Sequence, residues 1–410
     1  MFKIKLALHW QVFIAIVLGI LFGCFAFPWI GLVAWMGKIF INLLNMLVIP
    51  LLFFLLISAV SNIESAGNLG RLGLKTIAFY VLTTLLAITT GLVLVNLIQP
   101  GVGVDITSVQ ELPENLQIKK GFSLTDVLMN IVPDNVVSSM ASGNILSVVF
   151  FALFTGCFTM ALPDQSRKTM KNFFDAGSDL MMKMTTGVIR LAPYGVFAMI
   201  AERIAEFGGD STRLLTAAQS VGLFFITVFS GLAFHLVITL SVILLFFRIN
   251  PLRHLKNMSL PLMTAFSTAT SNATIPFSLQ ALEEKDGVSN KIASFTIPLG
   301  ATLNMNGTAL YECVVVLFIS QVYGIDLSLS QMIIVTFTAL LSAVGTPGIP
   351  MASLVMVAIV LNAVHLPLEG IGLILITDRI LDMCRTTVNI YGDTCCAACI
   401  AANEGEKLNV

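Results

Sequence analysis

The sequence predicts an all-α polytopic membrane protein, and three observations carry that expectation. Of the 410 residues, 57% are hydrophobic and only 11% are charged, against about 25% charged in ordinary soluble domains. So few charges cannot cover the surface of a soluble protein of this size. Apolar runs of about 20 residues, the length that crosses a bilayer, recur along the chain. The charges between those runs sit in short linkers whose sign alternates, as in a chain that passes back and forth through a membrane. A net charge of -1 argues against a nucleic-acid partner, which would need clustered phosphate-neutralising cations.

The first run, residues 10–30, follows Lys3 and Lys5 as a signal peptide would. It is too long for such a core and lacks a small-residue cleavage site, so it is expected to remain as the first helix. Further spans are expected near 37–61, 74–98, 143–162, 178–201 and 214–247. The linkers "NIESAGNLGRLGLK", "PDQSRKTMKN" and "FRINPLRHLK" are net basic, while "QPGVGVDITSVQELPENLQ" and "AERIAEFGGDSTR" are acidic or nearly balanced. The positive-inside rule then puts the basic linkers and both termini in the cytoplasm. No soluble domain is expected at either end.

After these spans the pattern changes. Residues 258–282 and 327–362 are apolar but interrupted, at "FSTATSNATIP" and "SAVGTPGIPMAS". Irregular backbone at membrane depth survives only where protein or a cavity surrounds it, and paired broken segments point to a transporter site built from half-helices. Ordinary loops between ordinary helices are the alternative. The arms are too short to span singly, which favours two re-entrant hairpins. Two longer segments, near 291–321 and 367–402, lie between and after them, and "NMNGTALYE" (304–312) should loosen the first of these.

The last segment holds "DRILDMCRTTVNIYGD", residues 378–393. Asp378, Asp382, Arg385, Asn389 and Asp393 step by four, three, four and four, which is one face of a helix. A cytoplasmic amphipathic tail would be the plainer reading, but Ile380, Leu381, Val388 and Ile390 make the opposite face apolar. Intramembrane ionisable residues are costly and usually mark a substrate or ion path. With Arg379 and Arg385 each neutralising one acid, a carboxylate is left over. An ammonium group would suit Asp382, a carboxylate the guanidinium fork of Arg385, and a small hard cation Asp393 with the oxygens of Asn304 and Asn389. Cys395, Cys396 and Cys399 lack a nearby histidine and are read as small packed residues, not as a metal site.

"NMNGTALYE", "SAVGTPGIP", "DRILDMCRTTVNIYGD" and the upstream "SNATIP", together with "LVIPLLFFLLISAVSNI" and "LAPYGVFAMIA", resemble the dicarboxylate/amino acid:cation symporter family, the glutamate and aspartate transporters. The resemblance covers essentially the whole chain. It implies eight transmembrane helices plus two re-entrant hairpins, a homotrimer in lipid, and an elevator-type transport domain (71–112 and 211–410) sliding on a scaffold (1–70 and 113–210). It also implies substrate contacts from Asp382, Arg385, Thr386, Asn389, Thr308, Thr270, Ser271 and the carbonyl of Ile349. One sodium ion would lie among Gly300, Asn304, Asn389 and Asp393, and a second among Thr302, Met305, Ala343, Val344 and Thr346. A third would lie beside Tyr80, Thr83 and Thr84, but Asn306 replaces the aspartate expected there, which puts that site in doubt. Ala269 and Met383 stand where family members usually keep a second arginine. Glu312 stands where proton-coupled members have a glutamate, and is the candidate proton carrier; a packed acid bonded to a neighbour is the alternative.

The expected function is symport of aspartate or glutamate with sodium and a proton into the cell, without an organic cofactor. A C4-dicarboxylate carrier would not need Asp382, a neutral amino acid carrier would not need Arg385, and a channel would need neither. No H-E-x-x-H or G-x-S-x-G motif suggests an enzyme. The absence of long insertions between spans points to a prokaryotic inner membrane.

Overall fold

The computed structural model describes residues 8–63, 70–103, 132–142, 145–206, 211–344 and 353–410. Among them there is no strand; every regular element is helical. Helices α1 (Leu8–Phe25), α2 (Ala34–Ile63) and α3 (Gly70–Ile98) open the chain. They are followed by α4 (Val136–Ala141), α5 (Ile145–Met160), α6 (Asp164–Ile189) and α7 (Ala192–Glu206). Next come α8 (Ser211–Phe234), a π-turn at His235–Thr239, α9 (Leu240–Phe246) and α10 (Pro251–Asn257).

The first interrupted segment is a pair of short helices, α11 (Ser259–Thr268) and α12 (Ser271–Ala281), closed by a π-turn at Leu282–Asp286. The chain reverses at Ala269, which takes the left-handed conformation with φ 50° and ψ 42°. Helices α13 (Asn290–Leu303) and α14 (Asn306–Val322) are the two halves of the expected broken span. Helices α15 (Leu329–Val344) and α16 (Ser353–Ala363) are the arms of the second interrupted segment, and α17 (Ile371–Asn403) ends the fold. Residues 345–352, the tip of that second segment, lie outside the described residues.

Among the described residues, four stretches are long and apolar enough to cross a membrane: Ala34–Ser58, Leu72–Ile98, Leu215–Phe246 and Asn290–Val322. A fifth appears if α6 and α7, bent by 51°, count as one span. Here the expected boundary is corrected. "PDQSRKTMKN" was expected to be a linker, but α6 begins at Asp164 and carries that charged stretch as its first turns. Gln, Arg, Lys and Met are good helix formers whatever their hydropathy, so the helix runs on beyond the apolar part.

Packing follows residue size. Helix α1 lies along α7 because Gly19 and Gly23, four apart, leave room: a Cβ on either would come within 2.8 Å of the Phe197 carbonyl or 2.7 Å of the Ala201 carbonyl. Close backbone approach through such small-residue pairs is how helices associate where lipid removes the hydrophobic driving force. Helix α2 packs on α5, α6 and α7, whereas α3 packs on α14 and α8. Both arms of the first hairpin, and α13 and α14, lie against α17.

Candidate functional site

Helix α17 is buried almost all the way round: on the apolar face opposite the charges, Leu381, Val388 and Ile390 are buried and Ile380 is exposed. Arg385 is 1% exposed. Its Nη2 donates to Asp378 Oδ1 and to Asp382 Oδ1, each at 3.0 Å. Its guanidinium carbon stands 3.8 Å from the ring centroid of Tyr311, whose hydroxyl donates to Asp378 Oδ1 at 2.8 Å. Arg379 is only 3.6 Å from Asp382 and keeps 23% of its side chain exposed. Arg385 therefore holds both Asp378 and Asp382, and Arg379 also reaches Asp382. Nε and Nη1 of Arg385 have no hydrogen-bond partner among the described residues, so two directions of its donor fork remain open to a ligand.

One turn on, Asn389 accepts from the Gly307 N–H at 2.8 Å and donates to Thr308 Oγ1 at 3.2 Å and Met305 Sδ at 3.2 Å. Thr386 donates to the Asp382 carbonyl at 2.9 Å. The Asn389 bonds tie α17 to the start of α14, where the helix is interrupted, whereas the Thr386 bond stays within α17. Asn304 and Met305 are non-helical, with φ, ψ of -116°, 75° and -104°, 55°. The last turn of α13 thus leaves carbonyls without helical partners.

At that break Asn304 Nδ2 donates to Asp393 Oδ1 at 2.8 Å. Asp393 Oδ2 and Asn304 Oδ1 are buried and have no hydrogen-bond partner among the described residues. Leaving such oxygens unsatisfied is costly, and a hard cation is the ligand that satisfies them. Glycine keeps this place tight. A Cβ at Gly300 would sit 2.6 Å from Asp393 Cγ and 2.7 Å from the Tyr80 hydroxyl, and one at Gly392 would sit 2.9 Å from Asn306 Nδ2.

The remaining candidates divide. Thr84 donates to Asn306 Oδ1 at 2.7 Å, so Tyr80, Thr84 and Asn306 all approach this region. Thr83 is buried but bonds its own helix, at the Phe79 carbonyl. Thr302 is exposed and bonds the Leu299 carbonyl, away from the buried oxygens. Ser271 is buried at the start of α12, while Thr270 donates to the Thr268 carbonyl in the reversal before it. Ala343 is buried and Val344 half-buried at the end of α15. Thr346 and Ile349 lie outside the described residues. Glu312 is fully buried; its Oε2 accepts from Ser342 of α15 at 2.5 Å, and Oε1 has no partner among the described residues. Sequence reasoning assigned no role to Tyr311 or Ser342. Tyr311 lay inside a quoted motif, but only three dimensions put its ring on Arg385.

The pattern of the sodium:dicarboxylate symporter family matches residues 8–403. This chain belongs to the sodium:dicarboxylate symporter family. It is 36% identical to the proton/glutamate-aspartate symporter of Escherichia coli (strain K12), over 97% of this chain and 93% of that one. It is 33% identical to the proton/sodium-glutamate symport protein of Bacillus caldotenax, over 98% and 96%. Similarity extends to excitatory amino acid transporter 3 of Mus musculus, at 31% over 94% and 84%.

Proposed function

We propose that this family member is a secondary active symporter that carries aspartate or glutamate into the cell together with sodium and, through Glu312, a proton. The single observation behind this reading is α17. It buries a guanidinium with open donor directions two turns from a buried carboxylate oxygen with no partner. Three aspartates and two arginines on residues 378–393 leave one negative charge, and the geometry leaves it on Asp393, which has no cationic partner among the described residues. A substrate carboxylate would enter the fork of Arg385, and its ammonium would take Asp382, which Arg385 then releases. Thr308 would assist at that carboxylate, while Asn389, with Thr270 and Ser271 at the head of α12, would hold the second one; helix starts favour anions. Sodium would bind Asp393 and Asn304 with carbonyls of α13.

The bond between Glu312 and Ser342 supports a proton role, because it joins the core helix α14 to the second hairpin. Protonation there would be felt by the element expected to close over substrate. The packing of α1, α2, α5, α6 and α7 on one another supports a scaffold over 1–70 and 113–210. That of α3, α8 and α11–α14 around α17 supports an elevator-type transport domain over 71–112 and 211–410. Eight spans with two hairpins fit the helix order. The exposed Trp10, Phe13, Trp29 and Trp35 need lipid or further copies, in keeping with a homotrimer in the plasma membrane. Cytoplasmic termini follow from the basic linkers.

Proteoliposomes test this directly. Labelled aspartate should accumulate under an inward sodium gradient, saturate, and stop when the gradient is collapsed. Succinate uptake that outruns aspartate would replace the amino acid reading with a dicarboxylate one. Non-saturating flux would replace it with a channel.

A further inference from the structure

One residue beyond Asp393, and about 100° further round α17, a second polar cluster lies away from the candidate ligands. His254 of α10, Asp286 at the end of the turn that closes the first hairpin, and Thr394 are all fully buried. His254 Nδ1 lies 2.5 Å from Asp286 Oδ2, and its Nε2 lies 3.2 Å from Thr394 Oγ1. Asn257 donates to the other carboxylate oxygen of Asp286 at 2.7 Å. The ring of Tyr391 packs on the imidazole with centroids 5.4 Å apart, and the Thr394 hydroxyl donates to the Tyr391 carbonyl at 2.9 Å. Every polar side-chain atom of His254, Asp286 and Thr394 thus has a partner, unlike the atoms around Arg385 and Asp393. A satisfied buried network is rigid.

That rigidity has a use at this level of α17. On the cation side the helix meets α13 and α14 through Gly392, and the residues that follow Thr394 include Ala397 and Ala398. Small residues allow close approach but do not key one helix against another. Close packing of this kind fixes how near α17 lies to its neighbours and leaves the keying of its rotation at Asp393 to hydrogen bonds such as those of Asn304 and Thr394. A buried His–Asp pair is also a poor way to gain stability, because well-packed apolar side chains usually do as well or better. We propose that His254, Asp286 and Thr394 form a positioning relay. It pins the base of the first hairpin to α17, fixes the direction of Asp393, and so sets the affinity for the co-transported cation. The inference rests on Asp393 being a cation ligand.

The test uses the full chain in proteoliposomes. The sodium concentration for half-maximal aspartate uptake is measured for the unmodified protein and for Thr394→Val, His254→Phe and His254→Gln. Thr394→Val and His254→Phe should raise that concentration about tenfold, the scale seen when an orienting partner behind a metal ligand is lost. The maximal rate at saturating sodium should be largely retained. His254→Gln, which keeps a donor within reach of Asp286, should recover part of the affinity. If His254→Phe does not fold, the near-isosteric Thr394→Val carries the test alone. Variants that melt at lower temperature yet keep the sodium half-saturation of the unmodified protein overturn the relay and leave only a structural clamp. An unmodified protein whose uptake ignores sodium overturns the cation reading of Asp393 first, and the relay falls with it.

Discussion

Helices α2 and α17 have nearly the same length, 30 and 33 residues, and treat polar groups in opposite ways. Along α2 the only charge is Lys38. One side of α2, with Leu47, Leu51 and Leu56, is buried, while Trp35, Ile39 and Met46 stand about half exposed. An apolar side chain facing lipid needs no further justification. Helix α17 has both faces covered and places Asp378, Asp382, Arg385 and Asp393 inside. Burying charge costs several kcal/mol per ion even after relaxation, so roughly the whole margin of a folded domain is at stake on one helix. Exposed apolar surface is what a membrane would cover, whereas buried charge needs a partner inside the protein, another side chain as at His254 and Asp286 or, on the proposed reading of α17, a ligand.

Four measurements probe this contrast. The largest effect is expected at Arg385. Arg385→Cys removes the only buried guanidinium of the cluster and should cost about 3 kcal/mol or more in acidic substrate binding, over about a hundredfold in affinity. Uptake of labelled aspartate should vanish, and neutral serine or cysteine should be carried instead. Unchanged aspartate affinity would return Arg385 to the role of a structural charge. Asp382→Asn comes next: amino acid binding should weaken sharply while succinate binding suffers less. Equal weakening of both ligands would mean that the ammonium is held elsewhere.

The third measurement moves to the α2 side. Gly195 of α7 faces Phe40 of α2 with no room for a larger residue. Gly195→Val should cost about 1–3 kcal/mol of stability by overpacking, read as a lower melting temperature, with the sodium dependence of uptake unchanged. A shifted sodium dependence would erase the functional distinction between the two regions. The fourth and smallest effects concern coupling. Asn306 brings an amide where a carboxylate would attract a cation, so fewer sodium ions should move per substrate than with an aspartate there. Asn306→Asp should steepen the sodium dependence, and Glu312→Gln should flatten the pH dependence of uptake. Reversal potentials unchanged by Asn306→Asp, or a Gln variant as pH-sensitive as its parent, would defeat the respective half.

Much of this architecture was legible in the sequence, for physical reasons that also mark the limits. The break at Asn304–Met305 and the reversal at Ala269 were visible because polar and helix-breaking residues in an apolar run have few places to go. The shared face of Asp378, Asp382, Arg385, Asn389 and Asp393 followed from helical spacing alone. The start of α6 was not legible, since hydropathy reports the membrane and not the helix. Nor was the sharing of Arg385 between Asp378 and Asp382, because side-chain partners depend on which rotamers the Tyr311 ring leaves open. His254 and Thr394 are 140 residues apart, and no local pattern links them. Family resemblance named the residues; it did not say which polar atoms would remain without partners.

The double hold on Arg385 has one more consequence. A carrier that imports on every cycle must also come back with nothing aboard. On the proposed transport reading, Asp378 and Asp382, each 3.0 Å from the guanidinium, would act as ballast, so that the return trip would not drag an unmatched positive charge through the apolar layer. The same ballast screens passengers. A carboxylate that displaced Asp382 from Arg385 would strand that aspartate unless the newcomer also brought an ammonium group. Entry would then be an exchange of partners, and a molecule with only half of the exchange to offer would leave the ballast in place.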